Sequence, residues 1–363
     1  MRRKTRNFTV GNVGVGSDHP VTVQSMTTVP VTDVEGNIRQ INRLYEGGCD
    51  FIRLAFDREE YSCYLEKIVK SSPIPVIADI QFDAKSALGA IRGKAAAVRL
   101  NPGLISDGGA LREIARAAID NNVAVRVGAN SGSIGTASVR KRIESGVSEF
   151  EAMADALVEG ALTQCRMLEE YGVRNIKVAL KSSDVRVTCA AVRKFASLTD
   201  YPLHLGVTEA GTRVRGSMKS AIGIGSLLMD GIGDTIRVSL TAPPEDEIPV
   251  ALGILEICGL RDAMPEIVSC PGCGRTEIDL LKLTSQVEEL INRLKQSKQA
   301  ISHRKIAVMG CPVNGPGEAR SADLGVAGSR GGESIIIFKH GKVLGAYPAE
   351  EGFARFQDEL LKS

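Results

Sequence analysis

The chain has 363 residues, with 45 basic and 43 acidic side chains, and its formal net charge is +2. This balance indicates neither a nucleic-acid partner nor an anionic membrane surface, and the longest apolar stretch, residues 249–260, contains Glu256 and is too short to span a bilayer. Eight cysteines in a chain of this length do not indicate a disulfide scaffold, so we expect a cytoplasmic enzyme with reduced thiols.

The chain starts with a basic segment, Met1–Arg6, and no apolar run follows it. A secretory or membrane-targeting segment needs such a run. We therefore expect Met1–Arg6 to be a solvated tail.

Short β-branched runs alternate with helical patterns along the first 245 residues. Eight of these runs are predicted to be strands: Val21–Met26, Phe51–Phe56, Pro75–Ile80, Ala96–Leu100, Val123–Gly128, Asn175–Leu180, Pro202–Val207 and Asp234–Leu240. Helical patterns connect them, for example Val34–Glu46, Leu111–Ile119 and Asp184–Ala196, and the longest interval is expected to hold an additional helix around Val139–Ser145. Eight alternating units predict a closed TIM (β/α)8 barrel, whereas the alternative, a doubly wound open sheet, needs no count of eight.

Polar residues cluster where the predicted strands end. They are Arg53, Asp79, Gln81, Arg99, Asn101, Arg126, Asn130, Lys181, Thr208, Glu209, Arg237 and Ser239. In a parallel barrel the carboxyl ends of the strands meet at one face, and chemistry takes place there. Five of the residues are cationic and two are carboxylates, so the predicted missing anion is the substrate, and arginine forks suit phosphate oxygens. For any single arginine, a structural ion pair with a helix carboxylate is the safer interpretation.

The last hundred residues have a different pattern. A turn-rich break at Pro265–Cys273 precedes an amphipathic helix predicted at Glu277–Lys295, a strand at Lys305–Met309, a hairpin of Ser334–Lys339 with Lys342–Ala346, and a final helix that ends at Leu361. The sequence thus predicts two domains, a barrel at 1–262 and a small α+β domain at 263–363.

Three thiols and a carboxylate lie on Gly/Pro-rich turns of this second domain, in Cys270-Pro-Gly-Cys273 and in Cys311-Pro-Val-Asn-Gly-Pro-Gly-Glu318. Thiolates bind soft metals and iron–sulfur clusters. Structural zinc needs a fourth ligand, and His303 lies eight residues before Cys311, outside the usual spacings. A cluster on three cysteines leaves one iron for a weaker, exchangeable ligand, for which Glu318 is well placed. The residues favour iron–sulfur over zinc, with a redox dithiol or inert thiols as the remaining reading.

Seven stretches resemble the bacterial, two-domain 4-hydroxy-3-methylbut-2-enyl diphosphate synthases of the methylerythritol phosphate route to isoprenoids. They are Gln24-Ser-Met-Thr27, Ala78-Asp-Ile-Gln-Phe-Asp83, Arg99-Leu-Asn-Pro-Gly103, Pro202-Leu-His-Leu-Gly-Val-Thr-Glu-Ala210, Gly231-Ile-Gly-Asp-Thr-Ile-Arg-Val-Ser239, Ser269-Cys-Pro-Gly-Cys273 and Gly310-Cys-Pro-Val-Asn-Gly-Pro-Gly-Glu-Ala319. They cover both domains in the order of the family, and the last two are highly specific.

The resemblance implies an oxidoreductase that opens the ring of 2-C-methyl-D-erythritol 2,4-cyclodiphosphate with electrons from flavodoxin or ferredoxin. It implies one 4Fe-4S cluster per subunit, with Cys270, Cys273 and Cys311 as thiolate ligands and Glu318 on the fourth iron. It also implies a head-to-tail homodimer in which the cluster of one subunit closes over the barrel mouth of the other.

The substrate contacts follow from the same resemblance. The positions that match diphosphate contacts are Arg53, Arg99, Arg126, Asn130, Lys181, Arg237 and Ser239, and Asn101 belongs to the same substrate-binding set. Asp79, Thr208 and Glu209 match polar positions near the reacting carbons, where Glu209 is expected to protonate the departing hydroxyl. The family usually has histidine at the position of Gln81, and an amide orients a ligand but takes up no proton near neutral pH.

Two other functions are compatible with the residues. One is an anion-binding barrel lyase or transferase with a structural zinc domain, and the other is a non-catalytic carrier of an iron–sulfur cluster. The cations at the strand ends count against the carrier, and the absent fourth thiol counts against zinc.

Overall fold

The structure is a computed structural model that describes residues 2–80, 83–100, 108–131, 136–261, 265–297, 299 and 301–362, without the side chains of residues 136–138, 295–296 and 318. Gln81, Asn101 and the side chain of Glu318 therefore lie outside the described residues. The chain divides into two compact units, Met1–Arg261 and Asp262–Ser363. In the part of the chain that is described, no helix is both long and apolar enough to cross a membrane.

The first unit is a parallel barrel of eight strands. They are β3 Thr22–Met26, β4 Phe51–Ala55, β5 Val76–Asp79, β6 Ala97–Leu100, β7 Ala124–Asn130, β8 Ile176–Lys181, β9 His204–Leu205 and β10 Thr235–Ile236. Neighbouring strands pair in chain order from β3 to β8, and β10 lies between β3 and β9. A single parallel bridge between Val178 and Leu203 joins β8 to the residue before β9. The prediction of a (β/α)8 barrel is confirmed.

Helices surround this sheet. They are α1 Val34–Glu46, α2 Ser62–Ser71, α3 Ala84–Arg92, α4 Gly108–Asp120, α5 Thr136–Glu144, α6 Glu149–Glu170, α7 Val185–Leu198, α8 Arg213–Met229 and α9 Glu247–Ile257. Several begin at a side chain that accepts a backbone N–H of the first turn, as Asp33 does from Gly36 and Ser148 from Glu151. The additional helix expected in the longest interval is α5, which precedes the regular helix α6.

The last two barrel strands are much shorter than predicted. Each strand is only two residues long, whereas the sequence predicted strands at Pro202–Val207 and Asp234–Leu240. Beyond β9 the chain crowds Gly206, where a Cβ would lie 2.6 Å from both the Arg237 carbonyl oxygen and Lys181 Nζ. Glycine permits this close approach, which brings the ends of β9 and β10 close to the Lys181 side chain.

An antiparallel hairpin, β1 Phe8–Val10 and β2 Val13–Val15, precedes the barrel and was not predicted. Its buried Val10 and Val15 pack against four apolar side chains of the barrel interior: Phe51, Ile77, Ala97 and Ala124. These residues belong to the first halves of their strands, so the hairpin covers the amino-terminal end of the barrel. The polar strand ends are left at the opposite face.

The prediction of a solvated tail at Met1–Arg6 is wrong for its described residues. Arg2 forms an ion pair of 2.8 Å with buried Asp234, and Arg3 donates to the carbonyl oxygens of Ala196 and Tyr201. Helix α7 ends at Leu198, and the last carbonyls of a helix have no partner within it. The guanidinium group of Arg3 satisfies one of these carbonyls, which is why a basic segment is ordered here.

The second unit contains a five-stranded sheet and two helices. In sheet order the strands are β11 Glu266–Ser269, β12 Lys305–Met309, β13 Leu324–Gly328, β14 Ser334–Lys339 and β15 Lys342–Pro348, and the helices are α10 Leu280–Gln296 and α11 Ala349–Leu361. The first three strands are parallel and the last two pairings are antiparallel. The prediction missed β11 and β13, because β11 is only half-buried and β13 carries glycine at two of its five positions.

Candidate active site

Five predicted cations come together inside the carboxyl end of the barrel. Alternate residues of a barrel strand point inward, and Arg99 lies in register with both Asp79 and Arg126 on the neighbouring strands. The charges of Arg53, Arg99, Arg126 and Arg237 all act on Lys181, at the end of β8. We call Arg53, Arg99, Arg126, Lys181 and Arg237 the cation layer.

Asp79 is the carboxylate at the centre of this layer. Its Oδ1 lies 3.0 Å from Arg99 Nη1, and its Oδ2 lies 3.6 Å from Arg53 Nε. Burial alone would raise the pKa of Asp79, but the charges of Arg53, Arg99 and Arg126 outweigh burial and hold this pKa below its ordinary value. Asp79 is therefore ionised at neutral pH and orients two guanidinium groups. A cavity of about 510 Å³ opens beside it, between the ends of β4 and β5.

Sequence reasoning missed a second carboxylate, Glu247, in the first turn of α9. It is buried, lies 3.4 Å from Arg237 Nε and accepts the Ser25 hydroxyl and the Leu240 N–H at 3.1 Å each. The prediction considered polar residues at strand ends, whereas Glu247 reaches the barrel from a helix. A structural ion pair with a helix carboxylate therefore exists for Arg237, whereas Arg53 and Arg99 pair with Asp79, a carboxylate at the end of a strand.

Arg126 and Lys181 have no such carboxylate. Arg126 is 2% exposed and its Nε and Nη1 lack a hydrogen-bond partner, while Lys181 is 6% exposed and forms neither a hydrogen bond nor an ion pair with any described residue. Burial, and then the neighbouring cations, hold the pKa of both groups well below their ordinary values. Buried cations without a counter-charge favour an anionic ligand at this place.

A second polar layer lies deeper in the barrel, and sequence reasoning missed it too. Lys177 is 2% exposed, and its Nζ has no hydrogen-bond partner and lies 5.0 Å from the centroid of the Phe51 ring. His204 is buried, with Nδ1 at 2.8 Å from Thr235 Oγ1 and Nε2 without a partner. Both side-chain amide atoms of buried Gln24 also lack partners.

Burial and the cations above control the charge of this inner layer. Burial first, and then the charge of Arg126, lower the pKa of Lys177 to about 7. The pKa of His204 is held well below its ordinary value by burial and by the charges of Arg126, Lys181 and Lys177. One sequence signal points to this layer: Lys177 and Lys181 are four residues apart on one strand, so they share its inward face.

The remaining predicted site residues lie around the mouth of the barrel. Asn130 ends β7, Thr208 and Glu209 form the turn after β9, and Ser239 follows β10. Among the described residues, Thr208, Glu209 and Ser239 make no side-chain hydrogen bond or ion pair to the cation layer. Glu209 is exposed and has a φ of 50°, a left-handed conformation that costs a non-glycine residue about 1–3 kcal/mol and is frequent at functional sites.

The three predicted thiol ligands belong to the second unit, and two of them follow adjacent parallel strands. Cys270 follows β11 and Cys311 follows β12 after Gly310, whose N–H donates to Cys270 Sγ at 3.2 Å. Cys273 comes after Gly272, which has a φ of 77°, and its Sγ accepts the Arg275 N–H at 3.5 Å. This backbone N–H, together with the Arg275 side chain, lowers the pKa of Cys273 and favours its thiolate.

The surroundings of these thiols fit a cluster better than zinc. Hydrogen bonds from backbone N–H groups to cysteine sulfur are typical of iron–sulfur sites. His303 precedes β12 whereas Cys311 follows it, so a strand of about 16 Å, at ~3.3 Å per residue, separates them. Cys311 leads into a wide helical turn of the π type, Val313–Glu318. Among the described side chains, no group of three His, Cys, Asp or Glu is arranged to hold a single metal ion.

Both units match known families. Residues 5–252 match the GcpE TIM-barrel domain, and residues 266–362 match the GcpE protein C-terminal domain. A Fusobacterium nucleatum protein named 4-hydroxy-3-methylbut-2-en-1-yl diphosphate synthase (flavodoxin) is 47% identical over 95% of this chain and 93% of its own length. A Lawsonia intracellularis protein of the same name is 43% identical over 100% of this chain and 97% of its own length.

Solved structures give a more distant likeness. Xanthomonas albilineans dihydropteroate synthase aligns with 72% of this chain and 100% of its own, with a TM-score of 0.50 and 13% identity. A Leptospira borgpetersenii N-acetylneuraminic acid synthetase aligns with 83% of this chain and 100% of its own, with the same TM-score and identity. At such identities these structures support the barrel fold alone.

Proposed function

The chain belongs to the GcpE family, and from this premise we propose that it catalyses the reductive ring opening and dehydration of 2-C-methyl-D-erythritol 2,4-cyclodiphosphate to 4-hydroxy-3-methylbut-2-enyl diphosphate in isoprenoid biosynthesis. The observation that carries the proposal is the cation layer, in which Arg126 and Lys181 are buried and neither forms an ion pair with a described carboxylate. A cyclic diphosphate supplies two negative charges at this place.

The cation layer binds and orients the substrate. Lys181 and the free edge of Arg126 bind the diphosphate oxygens, because these two groups have no carboxylate of their own. Arg53 and Arg99 are held in position by Asp79, and Arg237 is held by Glu247. Because these contacts bind the diphosphate in one position, they also hold the carbon atoms of the substrate in a fixed place at the mouth of the barrel. Asn101, Asn130 and Ser239 complete the substrate contacts in this proposal, with Gln81 in an orienting role.

The reaction adds two electrons, breaks the C–O bond that closes the cyclic diphosphate and expels a hydroxyl group as water. Hydroxide is a poor leaving group, so this oxygen needs a proton. In our proposal Glu209 donates it, because Glu209 is exposed at the mouth in a strained backbone conformation. Asp79 is ionised between two arginines and holds no proton to give.

We assign the electrons to a 4Fe-4S cluster held by Cys270, Cys273 and Cys311, with Glu318 as the carboxylate ligand. When bound, such a cluster supplies single electrons. The chain contributes hydrogen bonds to two of the thiols, from Gly310 N–H to Cys270 and from Arg275 N–H to Cys273, and the second lowers the pKa of Cys273. The relatives are named for flavodoxin, and we propose flavodoxin as the electron donor here.

We also propose a homodimer. Helix α8 carries an apolar stripe at a spacing of four residues, Val214, Met218 and Ile222, which are 66%, 61% and 63% exposed. Monomeric proteins rarely expose such a stripe, and a second copy of the chain is the occupant that we propose for it.

The decisive experiment combines a cofactor analysis with an assay. The full chain, reconstituted anaerobically with iron and sulfide, is expected to show a broad visible absorption, about four irons and four sulfides, and conversion of the cyclodiphosphate with reduced flavodoxin. Cys273→Ser is expected to lose the absorption and the turnover, whereas Cys63→Ser, which alters another exposed free thiol, keeps both. A protein that binds zinc without sulfide, or a cluster-loaded protein that leaves the cyclodiphosphate unchanged, would contradict the proposal.

A further inference from the structure

The inner polar layer has no part in the function proposed so far. Lys177 faces Arg126 from β7, His204 from β9, the Phe51 ring from β4, and Asp234, which precedes β10. Asp234 is the one carboxylate among these groups, and it is already engaged by Arg2 at 2.8 Å, by Thr5 at 3.1 Å and by the Leu203 N–H at 2.8 Å. The amine of Lys177 is thus buried beside Arg126, its register partner on β7, and has no acceptor of its own.

We propose that Lys177 is a positioning residue that acts through the cation layer: mostly neutral at pH 8 while the barrel is empty, it takes up a proton when the anionic substrate binds and becomes an additional cation beside Arg126. The inference rests on the proposed function for the identity of the anion. It assigns a role to a buried side chain that the proposed function leaves unused.

The electrostatics set the direction of this change. In the empty barrel, burial and Arg126 lower the pKa of Lys177 to about 7, so most of the amine is neutral at pH 8. Two negative charges bound to Arg126 and Lys181 offset the repulsion by Arg126, which raises the pKa of Lys177. In the cyclic diphosphate each phosphorus carries one ionised oxygen, so the ligand itself takes up no proton near neutral pH. Any proton gained on binding therefore goes to the protein.

The pH dependence follows by linkage. Below about pH 6, Lys177 is already charged and takes up no proton on binding. Between the pKa of the empty barrel and the higher pKa of the complex, binding takes up one proton at Lys177, and the dissociation constant rises by up to about tenfold per pH unit. Lys181 and His204 have lowered pKa values as well, and substitution of Lys177 separates its contribution from theirs.

The test is titration calorimetry of the full chain with the cyclodiphosphate, at pH 6 and pH 8, in pairs of buffers that differ in ionisation enthalpy. Wild type is expected to take up about one more proton at pH 8 than at pH 6. Lys177→Met, which fills the same space beside Phe51, is expected to lose this proton and to bind more weakly at pH 6 and pH 7. Lys67→Met, which removes an exposed lysine of α2, is expected to match wild type.

The outcomes separate the two proposals. If the cyclodiphosphate does not bind, the proposed function fails. If it binds and Lys177→Met takes up as many protons as wild type, the proton resides on Lys181 or His204 and the inference is overturned. Should Lys177→Met not fold, Lys177→Gln replaces it, and a wild type that takes up no extra proton at pH 8 refutes the inference without any variant.

Discussion

At the scale of single residues, the two barrel carboxylates predicted to be catalytic differ in their electrostatic setting. Asp79 is buried between Arg53 and Arg99, which hold its pKa low, whereas Glu209 is exposed on a strained turn. An ionised carboxylate orients cations, and only a carboxyl group that can carry a proton serves as a general acid. The setting of Asp79 therefore fits a role in positioning cations, and proton transfer is the role proposed for Glu209.

Glu209→Gln tests this division. The amide keeps the shape and the hydrogen-bonding capacity of the side chain but delivers no proton, so turnover is expected to fall by roughly 10²–10⁴-fold. Substrate affinity and cluster absorption are expected to stay unchanged. Single-turnover measurements with pre-reduced protein make the comparison, and Glu66→Gln, an exposed glutamate of α2, is the matched control. Normal turnover in Glu209→Gln would rule out its acid role.

The cation layer was predictable from the sequence because strand ends in a barrel share one face. The residues that modify the layer were not. Glu247 reaches Arg237 from a helix, and Lys177 and His204 depend on the inward register of strands whose ends the sequence gives only approximately. Gln81, Asn101 and the side chain of Glu318 lie outside the described residues, so their assignments stay predictions.

At the scale of elements, the glycines of β13 explain why the sequence prediction missed this strand of the second sheet. The sequence prediction contains no strand at β13, where Gly325 and Gly328 lower the strand propensity, yet Gly325 pairs with Phe338 across the ladder. A Cβ at Gly325 would lie 2.1 Å from the Phe338 ring, which is fully buried. The Phe338 ring thus occupies the space that a side chain at position 325 would need. The helical elements were easier to predict, since Asp33 and the apolar period of α1 specify their local structure directly.

Gly325→Ala is expected to destabilise the second unit. The methyl group would displace a fully buried ring, and overpacking of this kind costs about 1–3 kcal/mol. Urea unfolding of the full chain measures the loss, with Gly274→Ala as control because a Cβ there meets nothing within 4 Å. Equal stability of the two variants would mean that the Phe338 ring repacks freely.

At the scale of the whole molecule, the apolar stripe on α8 is the feature that the barrel fold itself does not require. If it packs against a second copy, Met218→Glu combined with Ile222→Glu places charges in the interface, where unpaired charges are costly. Sedimentation velocity is then expected to change from dimer to monomer. Ile119→Glu, on exposed α4, is expected to leave the dimer intact. A wild-type chain that sediments as a monomer would contradict the proposed homodimer.

The order of the eight barrel strands was predictable because parallel units follow one another along the sheet. The contacts at the amino-terminal end of the barrel were not. The hairpin of β1 and β2 and the ion pair of Arg2 with Asp234 join residues that are far apart in the sequence, and no local pattern indicates such contacts.

The parallel pairing of β3 with β10, which joins Thr22 to Thr235, also has a consequence for biosynthesis. A ribosome that adds roughly 5–20 residues per second delivers β10 about two hundred residues after β3, on the order of ten seconds or more later. Throughout this interval the nascent chain presents one edge of β3 without a partner, and such edges invite pairing with other chains. Release of residues 235–236 from the ribosome therefore limits closure of the barrel, and a chain stalled before them is expected to need a chaperone.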